Sequence, residues 1–329
     1  MTDTIKWGII GPGSIARKFA TGLQAVEDAE LLAVASRSQE RADQFGDEFD
    51  VARRYTSYED LAQDADVQAV YVATPHTYHK ANTLLCLNNG KHVLCEKPFA
   101  VNTAEAQEMV DFAREKNLFL MDAVWTRFFP VMVKLREMLA EGVIGDVMLV
   151  QADFGFRMSQ VMPEHRLFNP DLAGGALLDV GIYPVQFASM VYGKQPTNIT
   201  SQVTLGETGV DELSVSVFKY SDYEMATITT AIRLNTPHEA RILGSNGMIS
   251  IPDWWHPTEM TVNVAGQDAE THVLDIDGNG YNYEAIEVGR CIREGLTESD
   301  VMPLDETLAI MGTMDMMRQQ WGLTYPVEA

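Results

Sequence analysis

Over its first 125 residues the chain alternates between two patterns, and that alternation restricts the fold more than any other feature. Apolar, β-rich runs stand at 5–10 (IKWGII), 30–35 (ELLAVA), 69–73 (AVYVA), 92–95 (HVLC) and 118–124 (LFLMDAV). Helix-like stretches at 14–24, 38–46, 77–89 and 103–116 separate several of them. In the last stretch Thr103 can cap the amino end, and acidic residues follow in the first turns. Strand and helix alternating at this spacing predict a parallel sheet with right-handed crossovers.

The pattern then changes. Residues 130–141 read as helix, 146–154 as strand, and 178–192 as helix after a polar, proline-containing loop. Between 199 and 275 strands follow one another with alternating apolar and polar residues, which predicts antiparallel pairing. Helices return near 282–294 and 305–321. A chain of 329 residues fits two domains better than one core. The expected organisation is an α/β Rossmann domain over 1–124 and an α+β domain over 125–329. The second is expected to be built on a large open, mainly antiparallel sheet, for substrate binding and oligomerisation. The C-terminal helix is allowed to pack back on the first domain.

Charge excludes some partners. With 24 basic and 47 acidic residues the net charge is −23, which disfavours a nucleic-acid groove or an anionic membrane surface. Three cysteines, Cys86, Cys95 and Cys291, form no CxxC pair, and a reducing compartment is expected. The opening MTDTIKWGII is too short and too polar for a signal peptide, and no run of about 18 apolar residues exists. A cytoplasmic protein is the expectation.

Chemistry begins at GIIGPGSIA, residues 8–16. Gly11, Gly13 and Ala16 make G-x-G-x-x-A after a strand and at the opening of a helix, as a dinucleotide site requires. Gly11 would make the turn, Gly13 would let the pyrophosphate approach, and Ser14 and Ile15 open the helix whose N–H groups meet it. The second apolar run ends in Ser36 and Arg37 with no carboxylate at its tip. That favours the 2′-phosphate of NADP over the free ribose of NAD, with Arg41 one turn on as added charge. NAD stays possible. Thr74 and Pro75 end another run and are expected to line the dinucleotide. His76 and His79 follow as a cap or pocket wall, or as a weak metal pair; no metal is expected.

Residues 94–99 read LCEKPF. Lys97 closes a strand on the cofactor rim, where an ammonium can donate to a substrate oxygen or lower the pKa of a neighbouring acid. Glu96 either faces the nicotinamide or balances Lys97, and a structural ion pair competes with catalysis. In AGGALLDVGIYP, 173–184, Asp179 and Tyr183 stand i and i+4 on one face after a Gly174–Gly175 turn. Either they form a proton-transfer pair, or Asp179 caps and Tyr183 packs in a core.

These segments together resemble the Gfo/Idh/MocA oxidoreductase family along almost the whole chain. The EKP run and the GG-x(3)-D-x-G-x-Y segment are the specific parts. With a tyrosine rather than the commoner histidine at 183, and DAVWTRFFP at 122–130, the chain is similar to a narrower group. That group holds the dimeric dihydrodiol dehydrogenases, which also act as NADP-dependent D-xylose 1-dehydrogenases. The resemblance implies hydride transfer between NADP and a sugar, polyol, trans-diol or related carbonyl. It implies Lys97 and Tyr183 as catalytic lysine and acid/base, and Asp179 as substrate-binding or relay acid. It sets Trp125 and Arg127 beside nicotinamide and substrate, and makes a homodimer the expected assembly. Phe154 and Arg157 are substrate candidates, with Arg166 and Asn169 in the same loop. Inositol- or ketose-type chemistry, or a non-catalytic dinucleotide sensor, are the rival readings.

Overall fold

The computed structural model describes residues 4–328. The first residues of the N-terminal stretch read above against a signal peptide, 1–3, lie outside them. The chain divides into two compact units, one of residues 1–128 and 277–308, the other of 129–276 and 309–329.

The first unit alternates as the apolar runs require: β1 (Ile5–Ile10), α1 (Ser14–Leu23), β2 (Ala29–Ala35), α2 (Gln39–Phe49), β3 (Arg53–Tyr55), α3 (Tyr58–Gln63), β4 (Ala69–Val72), α4 (His79–Asn88), β5 (His92–Glu96), α5 (Thr103–Lys116) and β6 (Leu120–Ala123). The six strands pair in parallel in the order β3-β2-β1-β4-β5-β6. The order reverses at β1, between β2 and β4, and a crevice opens at the carboxyl ends of strands at such a point. Trp7, Phe19 and Tyr71 fill the core under that edge, with Phe19 stacked on Tyr71 at 3.9 Å between ring centroids. α5 is capped by Asn102, whose side chain accepts from the Glu105 amide; Thr103 is already helical. The cap stands one residue earlier than the threonine suggested, because Asn102 holds the extended conformation a cap needs.

The second unit holds α6 (Pro130–Ala140), β7 (Val147–Gly155), α7 (Ile182–Tyr192), β8 (Asn198–Leu205), β9 (Asp211–Lys219), β10 (Met225–Ala231), β11 (Glu239–Gly244), β12 (Gly247–Pro252), β13 (Glu259–Val264) and β14 (Glu270–Val273). Its strands form one sheet in the order β14-β13-β12-β11-β7-β10-β9-β8. All neighbours are antiparallel except β7 and β10, which run parallel. The alternation legible in 211–231 is the alternation of buried and less buried side chains on β9 and β10. α8 (Tyr281–Arg293) follows this sheet in sequence but belongs to the first unit, and α9 (Leu304–Trp321) begins there and ends in the second. No helix among the described residues is long and apolar enough to cross a membrane.

Candidate active site

In the first unit the glycine turn joins β1 to α1. Gly11 has φ +86°, and a Cβ there would meet the Ala73 carbonyl at 2.9 Å, so only glycine makes this turn beside β4. Gly13 is different. A Cβ on it would meet open space, with nothing nearer than the Gly11 carbonyl at 4.0 Å. No side chain caps α1 at Gly13. An uncapped, ten-residue helix end facing open space, with Ser14 and Ile15 in its first turn, fits a pyrophosphate. These residues therefore suit the nucleotide the glycine pattern implies.

The tip of β2 carries Ser36, buried, its Oγ accepting from the Ser38 amide at 3.3 Å, and Arg37, exposed. Arg41 is also exposed, and its amide donates to Ser38, the cap of α2. At the tip of β4, Thr74 is buried and Pro75 exposed. His79 is buried beneath them. One ring nitrogen meets the Thr74 carbonyl at 2.8 Å, the other the Pro98 carbonyl at 2.9 Å. Burial lowers its pKa while the two carbonyls oppose that shift. His79 thus ties together the loops after β4 and β5, and positions them instead of facing the crevice. His76 is half-buried, 5.9 Å from it between rings. Among the described residues no group of His, Cys, Asp and Glu is arranged to hold a metal.

At the end of β5, Glu96 turns inward. Its carboxylate accepts from the buried Tyr71 hydroxyl and, at 3.1 Å, from the Lys97 amide. Lys97 is half-buried on the rim, and the bond to Pro98 is cis. Under Glu96 lie two acids that the sequence did not single out, Asp122 on β6 and Glu284 on α8. Both are fully buried, and none of their four carboxylate oxygens has a hydrogen-bond partner. Burial, then the charge of Glu96, pushes Asp122 up to about 8, and the same causes raise Glu284 well above the usual carboxylate range. Trp125 stacks on Tyr281 of α8 at 4.2 Å. Arg127 is buried and forks onto Glu306 at 2.6 and 2.8 Å, with the Val301 carbonyl at 3.1 Å. Its charge is engaged inside the unit, which gives it a structural task beside α9.

In the second unit the Gly-Gly turn serves close approach. A Cβ on Gly174 would meet the Arg166 and Leu167 carbonyls at 2.6 and 2.7 Å. One on Gly175, at φ +115°, would meet the Asp211 carboxylate at 2.0 Å. Buried Asp211 accepts from the Leu177 amide at 2.6 Å and so anchors the helix start. That start is a π-helical turn, Leu177–Gly181, running into α7. Such turns widen a helix and re-aim its side chains. Asp179, in the turn, is buried and pairs with Arg166 at 2.6 Å. Tyr183, on α7, is 6% exposed and lies edge-on to Phe154 at 5.2 Å. Phe154 in turn stacks on Trp255 at 5.1 Å and meets His238 at 5.0 Å. Arg157 is exposed, its amide held by the Asn235 side chain. Asp211 and His238 come from distant loops and strands and carried no local signal, whereas Trp255 is one of the second-domain aromatics that the sequence offers for either a pocket or a core.

The comparisons with known proteins agree along the chain. Residues 5–123 match the model of an oxidoreductase family with an NAD-binding Rossmann fold, and 132–250 match the GFO/IDH/MocA C-terminal domain. The mouse trans-1,2-dihydrobenzene-1,2-diol dehydrogenase is 42% identical over 330 residues, covering 98% of each chain. Among solved structures, KijD10, a 3-ketoreductase from Actinomadura kijaniata in complex with NADP and TDP-benzene, is 25% identical over 96% of this chain and 98% of its own, with TM-score 0.86. A levoglucosan dehydrogenase shares the fold at TM-score 0.90 and 18% identity, over 97% of this chain and 98% of its own.

Proposed function

Because this chain belongs to the GFO/IDH/MocA oxidoreductase family, we propose that it is an NADP-preferring dehydrogenase or reductase of a cyclic trans-diol or an aldose. Its class is an NAD(P)-dependent oxidoreductase acting on CH–OH or C=O groups. One observation carries the substrate reading. The Tyr183 phenol stands on a buried helix face walled by Phe154, with Trp255 and His238 behind it. Aromatic faces suit a flat ring or the C–H face of a sugar. The diol relatives make the first of these the leading candidate.

The bound nicotinamide supplies the hydride acceptor or donor. In oxidation Tyr183, reacting as the tyrosinate, takes the substrate hydroxyl proton and becomes the phenol; in reduction the phenol gives it back. The family resemblance assigns Lys97 as the cation for the oxygen that loses the proton. Asp179, held by Arg166, orients the substrate or passes the proton onward. Gly13, Ser14 and Ile15 seat the pyrophosphate, and Ser36, Arg37 and Arg41 the 2′-phosphate. Thr74, Pro75 and His76 edge the same cleft, while Glu96 and His79 hold its loops in place. Trp125, set by its stack on Tyr281, is the aromatic candidate beside nicotinamide.

The test is a titration with NADPH and NADH followed by protein fluorescence, then turnover with a trans-dihydrodiol, D-xylose and a dicarbonyl panel. NADPH bound at least tenfold tighter, with turnover of diol or sugar, is the expected result. Binding without turnover of any of them would favour the sensor reading.

The open sheet is proposed to pair with a second copy. Met148, Leu205, Val215 and Met225 are exposed apolar side chains on β7 to β10. Sedimentation at micromolar concentration is expected to give twice the monomer mass; a monomer would remove the assignment. The three cysteines are buried and outside disulfides, in keeping with a reducing, cytoplasmic setting.

A further inference from the structure

Arg37 does not stand alone at the tip of β2. Its guanidinium carbon lies 5.5 Å from the centroid of the Tyr78 ring, over its face. The Tyr58 phenol is the third group at this point, near enough for the Arg37 charge to oppose the rise that burial gives its pKa. The three residues come from three strand ends: Arg37 after β2, Tyr58 at the start of α3 after β3, and Tyr78 in the short turn His76–Tyr78 after β4. β1 lies between β2 and β4 in the sheet, so the contact of Arg37 with Tyr78 bridges the strand ends on either side of β1. We propose that the Tyr78 ring, with the Tyr58 phenol nearby, clamps the Arg37 guanidinium for the adenosine 2′-phosphate, and so sets the preference for NADP over NAD. The inference rests on the reading of Arg37 as the 2′-phosphate ligand.

The physical case is one of pre-organisation. An exposed arginine loses rotamer freedom when it is immobilised on a ligand. Packing of the cation over an aromatic face immobilises it beforehand. The guanidinium has five N–H donors, and a contact with the Tyr78 face leaves a fork for phosphate oxygens. Tyr78, 42% exposed, would otherwise be a large apolar surface on a loop tip. Burial raises the Tyr58 pKa while Arg37 and Arg41 oppose it, so both arginines lie close enough to feel that phenol. In a chain of net charge −23 this rim gathers two cations and two phenols at one point. NADH presents only a neutral 2′-hydroxyl there, and a fixed fork gains little from it.

The test is a double-mutant cycle read by cofactor affinity, with thermal midpoints recorded to exclude misfolding. Tyr78→Ala is expected to weaken NADPH about fivefold and NADH less than twofold. Arg37→Ala is expected to weaken NADPH by about fiftyfold, and Tyr78→Ala added to it should cost nothing further. If Arg37→Ala leaves the NADPH to NADH ratio unchanged, the phosphate reading fails and the clamp with it. If that ratio collapses in Arg37→Ala, yet Tyr78→Ala weakens both cofactors equally, weakens neither, or adds its full cost to Arg37→Ala, the clamp alone is overturned.

Discussion

Tyr183→Phe is expected to lower kcat by about 10²–10⁴-fold while NADPH affinity stays within twofold. Phenylalanine fills the same space against Phe154, so the edge-to-face contact at 5.2 Å survives and the helix is undisturbed. What is lost is one oxygen that can exchange a proton. A tyrosine that only packs would give a near-silent variant, because the hydroxyl adds little to a buried ring. Single-turnover measurement of hydride transfer separates the cases: a slow chemical step with normal binding assigns the proton to Tyr183. Full turnover in this variant would return Tyr183 to the core, and Asp179 would then be the next acid to test.

Much of the cofactor half was legible because it depends on local pattern. A parallel sheet announces itself by apolar runs at regular spacing, and the dinucleotide turn by glycines whose backbone needs are local. β3 and α3, of three and six residues, were too short for periodicity to show them. Tyr58 therefore had no visible reason to matter. The i, i+4 relation of Asp179 and Tyr183 was read on an α-helix, whereas the π-helical turn is imposed by tertiary contacts, with Asp211 holding the Leu177 amide. The bond between Arg166 and Asp179 spans 13 residues, and no sequence period links them. The same holds for Glu96. Its neighbour Lys97 suggests a surface pair, yet its carboxylate also meets Tyr71, 25 residues away, and its charge acts on two further buried acids. Distance in the chain hides such groups, and burial makes them costly.

That cost gives a second large effect. Asp122 binds its proton up to about pH 8 in the folded protein, owing first to burial and then to the charge of Glu96, with Arg127 and Lys97 pulling the other way. In the unfolded chain it releases the proton near pH 4. Between those values the folded state holds a proton that the unfolded state lacks, so Asp122 makes stability fall as pH rises from about 4 to about 8, and adds no slope above. Glu284, shifted the same way, steepens the fall. Asp122→Asn removes its share. The gain at pH 8 is expected to be on the order of 2 kcal/mol, or about 5 °C in midpoint, because the buried amide keeps part of the desolvation cost. At pH 4–5 the variant and the parent should melt together. Melting curves at intervals from pH 4 to 9 decide it: equal slopes for parent and Asp122→Asn would mean that Asp122 is ionised in the fold and that the acids under Glu96 carry their charge.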